Sequence, residues 1–167
     1  HSKKGGHILS GLLDEQDIVL SYSIEQEVFE FLSRNLWNPV FYHHSFLMIH
    51  WFDKKSKFHA NSSKMYLNFH SHFMDVICFE GDKLIHCITF DNENSSDQLY
   101  FILKIWENCH FDQLNDNLFI VGKPERMLIK SLEKYIKNIE YLSIPSEIFM
   151  WNEDAQNAPL DLLTLAL

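Results

Sequence analysis

Cysteine is scarce in this sequence, and the three cysteines are Cys78, Cys87 and Cys109. An odd number without the paired spacing of a metal site argues against both a disulfide framework and a cysteine-based zinc site. Long apolar runs are also missing, because no stretch reaches the roughly 18 residues that a membrane span requires. No signal peptide is visible either. We therefore expect a cytoplasmic protein that does not engage a membrane.

Positive charge is the second deficit. Lysine and arginine number 14 against 23 aspartate and glutamate residues, which gives a net charge of −9. A nucleic-acid-binding protein should carry a basic face, so we expect no nucleic-acid partner. Apolar residues, by contrast, are plentiful: 46% of the chain is hydrophobic, with 14 phenylalanines. This excludes a disordered chain and suffices for one sizeable core or two small ones.

A β-hairpin is the clearest local signal. Gly81 and Asp82 separate two apolar runs, 73–79 and 84–90, and Glu80 and Lys83 flank the turn. This predicts a two-residue loop closed by an opposite-charge pair. Both faces of the hairpin are largely apolar, which predicts a sheet covered on both sides, as in a three-layer α/β domain. The predicted register places Met74, Val76 and Cys78 on one face with Ile85, Cys87 and Thr89, and Asp75 on the other face with His86.

Further elements follow from apolar spacing and capping residues. A strand precedes the hairpin, and a helix capped by Ser95, with Gln98 at capping-box spacing, follows it. Pro124 suits the first turn of a second helix. The predicted bounds are a strand at 64–70, a helix from 95, a strand at 117–121, a helix from 124, a strand at 139–144 and a terminal helix at 159–167. Apart from the terminal helix, this unit has the order β-β-β-α-β-α-β.

The first sixty residues show only part of such a plan. A strand is predicted at 17–22, a helix capped by Ser23, a strand at 39–42 and a helix at 44–52, which gives β-α-β-α. Residues 1–6 are left out of this assignment. The chain begins at His1 rather than methionine, so we expect the full polypeptide to be longer at its N-terminus.

Several short segments point to a known family. They are FMDVI at 73–77, KLI at 83–85, Phe90 with Asp97 and Tyr100, LFIVG at 118–122 and PLDLLTL at 159–165. Together with the element order, they make the chain resemble an uncharacterised bacterial family, domain of unknown function 3822, which has an actin-like ATPase, ribonuclease-H-like fold. The resemblance covers residues 8–167. It implies that 8–60 is the C-terminal part of a first actin-like half and that 64–167 is the second half with a terminal helix.

The resemblance also implies where a nucleotide would bind. Actin-like ATPases hold phosphates on glycine-containing turns near an aspartate, and the corresponding turn here, 68–72, contains neither glycine nor carboxylate. Glycine is used there because a phosphate needs close approach to the backbone. The adenosine loop corresponds to 121–125, where Gly122 is the candidate cofactor-binding residue. In that loop Pro124 lacks an N–H, and Glu125 would repel phosphate.

These departures favour a non-catalytic interaction or scaffold module, without a cofactor, over an enzyme. The alternative is a nucleotide-binding actin-like ATPase whose site is completed by an N-terminal segment that this sequence does not contain. Ribonuclease-H chemistry needs several carboxylates converging on two metal ions, and the predicted first strand of the unit, 64–70, offers none.

Two polar pairs remain. His70 and His72 would share one face of a strand, and with Asp75 they are candidate zinc ligands, although a polar turn is the simpler interpretation. Asp75 beside His86 could begin a catalytic triad. Because no G-x-S-x-G motif supplies a nucleophile, we favour a buried pair that satisfies its own hydrogen bonds.

An aromatic cluster precedes the second unit and most simply packs the helix that links the two halves. Its members are Phe41, Tyr42, Phe46, Met48, Trp51 and Phe52. The alternative is that part of it is exposed and binds a protein, since exposed aromatic and methionine side chains mark interfaces. We expect an unidentified protein partner. A free sheet edge in the shortened first half would also permit a homodimer.

Overall fold

The first elements of the chain are a β-hairpin and two helices. The computed structural model describes residues 6–56, 62–91, 94–142, 158 and 160–164. Strands β1 (Gly6–Leu13) and β2 (Ile18–Glu25) pair in antiparallel fashion, and helices α1 (Gln26–Asn35) and α2 (His44–Ser56) follow. Glu25, rather than Ser23, precedes α1, and it makes no side-chain cap.

The predicted element order of this segment needs correction. The strand at 17–22 and both helices are confirmed within a few residues, but the strand predicted at 39–42 is wrong. That stretch is an irregular connection in which the carbonyl oxygen of Phe41 accepts a 2.7 Å hydrogen bond from the hydroxyl of Tyr22. The order is β-β-α-α, because β1 lies where no element was assigned.

Two further hairpins form the antiparallel part of the main sheet. They consist of β3 (Ser63–Phe69), β4 (Phe73–Glu80) and β5 (Lys83–Asp91). Glu80 lies opposite Lys83, and Gly81 adopts a positive φ of 61°, which glycine accepts without steric cost. The predicted turn and its closing pair are therefore confirmed.

The predicted register of β5 is wrong beyond its first residues. Phe79 lies opposite Leu84, but Cys78 lies opposite His86, so the register shifts between Cys78 and Phe79. Such a bulge adds one residue to one strand, and because side chains alternate with a period of two, every later side chain changes face. Asp75 consequently lies opposite Thr89, and the predicted pairing of Asp75 with His86 does not occur.

The parallel part of the sheet follows the crossover helices. Helix α3 (Ser95–Asn108) leads to β6 (Asn117–Gly122), and α4 (Arg126–Leu132) leads to β7 (Asn138–Tyr141). The sheet order is β5-β4-β3-β6-β7, with β6 parallel to β3 and β7 parallel to β6. The cap of α3 is Asn94, one residue before the predicted Ser95, and its side chain accepts from the N–H of Asp97 at 2.8 Å.

Two apolar layers enclose the sheet. On one face, Val76 and Leu118 pack with Ile102 of α3 and Leu132 of α4. The opposite face is covered by α2 and by α5 (Leu160–Leu163). The predicted three-layer arrangement is thus confirmed. Of the predicted terminal helix, 160–163 is helical, and 165–167 lies outside the described residues, as do 143–144 of the last strand. None of the helices in the described ranges has the length and apolar character of a membrane span.

Candidate functional site

A buried carboxylate lies near the start of β4. Asp75 is 2% exposed, and four side chains contact its two oxygens. Oδ1 accepts from the Thr89 hydroxyl at 2.7 Å and lies 3.3 Å from Nε2 of His44. Oδ2 lies 2.9 Å from Nε2 of His70 and accepts from the Asn68 amide at 3.3 Å. Both oxygens of the carboxylate are therefore engaged by the protein itself.

The electrostatics of this cluster follow from its hydrogen bonds. Burial alone would raise the pKa of Asp75, but hydrogen bonds from His44, His70 and Thr89 outweigh burial and hold that pKa well below its usual range. The hydrogen bond to Asp75 raises the pKa of His44. Burial and the neighbouring His44 lower the pKa of His43, whose Nδ1 accepts a hydrogen bond from the N–H of Ser45 at 3.2 Å.

The cluster is not arranged as a catalytic triad. The hydroxyl of Ser45 lies 3.4 Å from Nε2 of His44, the same nitrogen that contacts Asp75. A triad instead requires the carboxylate and the nucleophile on different ring nitrogens. Ser45 is therefore not set up for activation by His44.

Of the three candidate zinc ligands, the structure brings two together. His70 and Asp75 meet at 2.9 Å, whereas His72 is exposed on the turn between β3 and β4. Within the described ranges, no group of three or more His, Cys, Asp or Glu side chains is placed to hold a metal ion. The third candidate ligand thus lies apart from the pair.

A polar cavity of about 200 Å³ opens at the carboxyl ends of β3 and β6. Gln98 lines it and is 6% exposed, while the hydroxyl of Ser95 donates to the carboxylate of Glu125 at its rim. The remaining lining residues are Phe69, Ser71, Asn94, Lys123 and Pro124. In doubly wound sheets, ligands commonly bind beyond the carboxyl ends of strands, so this cavity is the position where a small molecule would sit.

Gly122 directly precedes Lys123, which lines this cavity. The backbone geometry explains why a glycine occupies this position. Its φ is +87°, and a Cβ there would lie 2.3 Å from the carbonyl oxygen of Phe69. The ends of β3 and β6 come so close that only glycine fits. The glycine therefore does not require a bound nucleotide to explain it.

The predicted aromatic cluster divides into a buried part and an exposed part. Met48, Trp51 and Phe52 belong to the core beneath α2, whereas Tyr42 is 53% exposed. The sequence analysis did not single out the apolar residues that precede Tyr42. The pair Leu36-Trp37 at the end of the predicted helix was the signal that could have identified them. We define the 28–42 surface by its exposed apolar side chains: Val28, Phe31, Leu36, Trp37, Val40 and Tyr42.

The 28–42 surface has little support beneath it. Helix α1 has no buried residue. Trp37 is 99% exposed and Phe31 is 64% exposed. The rings of Phe29 and Phe41 lie 5.3 Å apart, which brings the connection after α1 back onto the helix. Apolar exposure of this extent is typical of an interaction site.

Comparisons with known proteins agree with this architecture. Residues 1–139 match the model of a family described as "Protein of unknown function (DUF3822)". A crystal structure from Bacteroides thetaiotaomicron, of a protein with an actin-like ATPase fold and unknown function, is similar to the chain at 25% identity and a TM-score of 0.78. That similarity covers 98% of this chain and 61% of the other.

A second solved structure shares the fold at lower identity. It is a PilM–PilN type IV pilus biogenesis complex, with 12% identity, a TM-score of 0.60 and coverage of 95% of this chain and 63% of the other. The chain therefore spans less than two thirds of the length of both structures. No curated protein matches it. The predicted actin-like fold is confirmed by the two structural similarities.

Proposed function

The chain belongs to the family of proteins of unknown function designated DUF3822, and from that premise we propose that it is a non-catalytic protein-interaction module in a degenerate actin-like fold. The observation that carries this proposal is the 28–42 surface, where Trp37 is 99% exposed. Burying a tryptophan and its neighbours against a partner would remove a large apolar area from water. Aromatic side chains of this kind are enriched where interfaces are strongest.

The actin-like nucleotide site supports a non-catalytic role. The turn between β3 and β4 offers no glycine for a phosphate, and Asp75, the carboxylate that follows this turn, is already contacted by four side chains. A magnesium ion would have to displace those side chains to reach it. Glu125 adds a negative charge at the cavity where phosphates would lie.

The partner is a protein, and we place the encounter in a bacterial cytoplasm. One structural neighbour is part of a PilM–PilN complex, so the fold is compatible with protein binding. We also propose that the protein can bind a second copy of itself as a homodimer. The net charge of −9 speaks against nucleic acid as the partner.

The test compares Trp37→Ser with Met127→Ser. Met127 is 68% exposed on α4, so both variants remove an exposed apolar side chain. Proteins that co-purify with the wild type would be identified, purified and remixed with each variant. We expect binding to survive Met127→Ser and to be lost with Trp37→Ser. Equal binding by both variants would refute the proposed surface.

A second candidate function is nucleotide binding at a site completed by a preceding segment. The cavity of about 200 Å³ beside Gly122 favours it. A ligand that binds only the folded state at a hundred times its Kd stabilises it by about 2.7 kcal/mol. A thermal-shift titration of the full-length gene product with ATP, ADP and GTP plus magnesium would show this. A shift that Gln98→Leu abolishes would support nucleotide binding, and no shift at saturating nucleotide would reject it.

A further inference from the structure

Two of the three cysteines meet on the face of the sheet that α3 covers. Cys78 lies on β4 and is 0% exposed, and Cys109 directly follows the last residue of α3. Both belong to the same apolar cluster, and a hydrogen bond joins their thiols. Because β5 and all of α3 lie between them in the sequence, it is the fold that brings the two thiols together.

The third cysteine lies on the other face. Cys87 is opposite Ile77 of β4, and residues directly opposite one another in an antiparallel pair point to the same side of the sheet. Ile77 and Cys78 are neighbours in the strand, so their side chains point to opposite sides. Cys87 is exposed. The sheet therefore separates Cys87 from the pair, which makes it a matched control for the chemistry of a thiol on its own.

The hydrogen bond makes the two thiols of the pair unequal. Because the S–H of Cys78 donates, the hydrogen bond outweighs burial and lowers the pKa of Cys109, whereas the same hydrogen bond and burial raise the pKa of Cys78. The thiolate is the reactive form of a cysteine. The C-terminal end of a helix opposes a negative charge, and the hydrogen bond from Cys78 offsets this at Cys109. Cys109 is also partly exposed, so it is the thiol of the pair that an oxidant reaches from solvent.

We propose that hydrogen peroxide converts Cys78 and Cys109 into a reversible intramolecular disulfide. The thiolate of Cys109 attacks one peroxide oxygen, the O–O bond breaks, and the departing hydroxide takes up the proton that Cys109 released, so that water and a sulfenic acid form. The sulfur of Cys78 then attacks the sulfenic sulfur, the S–O bond breaks, and the hydroxide leaves as water with the proton of Cys78. The two thiols lose two electrons, and one peroxide becomes two waters.

The disulfide ties α3 to the sheet. β4 is held between β3 and β5, whereas Cys109 ends the helix and His110 turns the chain with a φ of 57°. A disulfide brings two sulfurs to about 2 Å, so the end of α3 moves toward β4. The bond closes a loop that contains β5 and α3, and such a crosslink restricts the unfolded chain. Disulfides of this kind in a reducing compartment are transient and serve redox sensing.

The test uses Cys87→Ser, a substitution at an exposed position that leaves the core unchanged. The folded variant is treated with hydrogen peroxide, its remaining thiols are blocked with iodoacetamide, and its peptides are mapped without reduction. We expect one linked pair that joins positions 78 and 109, a loss of two hydrogen atoms in the intact mass, and no alkylated cysteine. Dithiothreitol should restore both thiols. The melting temperature of the oxidised protein should exceed that of the reduced protein.

Two double variants assign the roles of the thiols. In Cys78→Ala/Cys87→Ser the second step is blocked, so dimedone, which traps sulfenic acids, should label Cys109. In Cys87→Ser, where Cys78 is present, the same treatment should give the disulfide instead of the adduct. In Cys109→Ala/Cys87→Ser, Cys78 should stay reduced because it is buried, and peroxide should leave the melting temperature unchanged.

Two outcomes would overturn the inference. If peroxide oxidises Cys87 in the wild type while Cys78 and Cys109 of the Cys87→Ser variant stay reduced, the pair serves only to fill the core. If Cys109 proceeds to a sulfinic acid without a link to Cys78, the two thiols are not placed to react with one another. Neither outcome bears on the Trp37→Ser comparison, because the redox site is additional to the proposed protein-binding role.

Discussion

Nε2 of His44 lies 3.3 Å from Oδ1 of Asp75, which joins the first turn of α2 to the second strand of the main sheet. His44 is 28% exposed at its side chain, whereas Asp75 is 2% exposed. The contact therefore links α2 to the main sheet at the margin of the core. It makes the stability of this link sensitive to charge.

Removing the charge of Asp75 should be costly. In Asp75→Asn the buried carboxylate that holds His44, His70 and Thr89 is lost, and breaking a buried ionic contact typically costs about 3 kcal/mol or more. Urea unfolding would measure the change in the free energy of unfolding. Asp14→Asn, at an exposed aspartate, should cost far less. Equal losses would mean that the cluster contributes nothing specific.

The two adjacent histidines should respond to pH in opposite directions. The pKa of His44 is raised above 6.5 by its hydrogen bond to Asp75, so its contribution to stability is full below that pH and is lost as the pH rises through the folded-state pKa. The pKa of His43 is lowered, mainly by burial. Its contribution is therefore present above 6.5 and is lost as the pH falls.

Unfolding of His44→Gln and His43→Gln across neutral pH would show this difference. The difference in the free energy of unfolding between the wild type and His44→Gln should become smaller as the pH rises. The corresponding difference between the wild type and His43→Gln should become larger. If both differences changed with pH in the same direction, the opposite pKa shifts of His43 and His44 would be contradicted.

Gly122→Ala should destabilise the protein more than an alanine at another left-handed glycine. At position 122 the new Cβ would meet the carbonyl oxygen of Phe69, whereas Gly81 sits in a hairpin turn with a φ of 61°. The conformational cost alone is of order 1–3 kcal/mol, and Gly122→Ala adds the displacement of a backbone atom. Thermal unfolding of the two variants measures the difference, and equal losses would show that the strand ends can separate freely.

Gln16 is a tether between the two hairpin systems. Its amide donates to Oδ1 of Asp53 at 2.5 Å and to the carbonyl of Asp82 at 2.7 Å, and its oxygen accepts from the N–H of Leu84 at 2.7 Å. Gln16→Ala should cost about 3 kcal/mol, since three hydrogen bonds are lost and each contributes about 1 kcal/mol. Gln113→Ala, at an exposed glutamine, is the control. Hydrogen exchange at the Leu84 amide should accelerate only in Gln16→Ala; an unchanged rate would argue against the tether.

Local signals predicted much of the main sheet. The turn at Gly81 and the helix predicted to begin at Pro124 depend on neighbours in the chain, and both were readable, since that helix is found at Arg126–Leu132. The bulge that shifts Cys78 opposite His86 was not, because no glycine or other local signal marks it in either strand. The register assigned beyond it was therefore wrong.

The candidate sites depended on contacts that sequence spacing cannot reveal. Asp75 meets His44 across 31 positions, and nothing in either segment indicates the other. The exposure of Trp37 was equally hidden, since an aromatic residue after an amphipathic helix is more often buried. Gly122, in contrast, was singled out by resemblance, and the approach of Phe69 supplies its physical cause.

The place of β3 in the sheet has a consequence for how the chain folds. Its antiparallel neighbour β4 follows after a short turn, so these two strands and β5 can form early as a local meander. Its parallel neighbour β6 arrives only after α3 has been made, and closing that longer loop costs entropy before any contact repays it. We expect the rate-limiting barrier to be the docking of β6 against β3, so that Val76→Ala slows refolding while Leu118→Ala acts mainly on unfolding. The pairing of β3 with β6 at the centre of the sheet would then form later than the pairing of β3, β4 and β5.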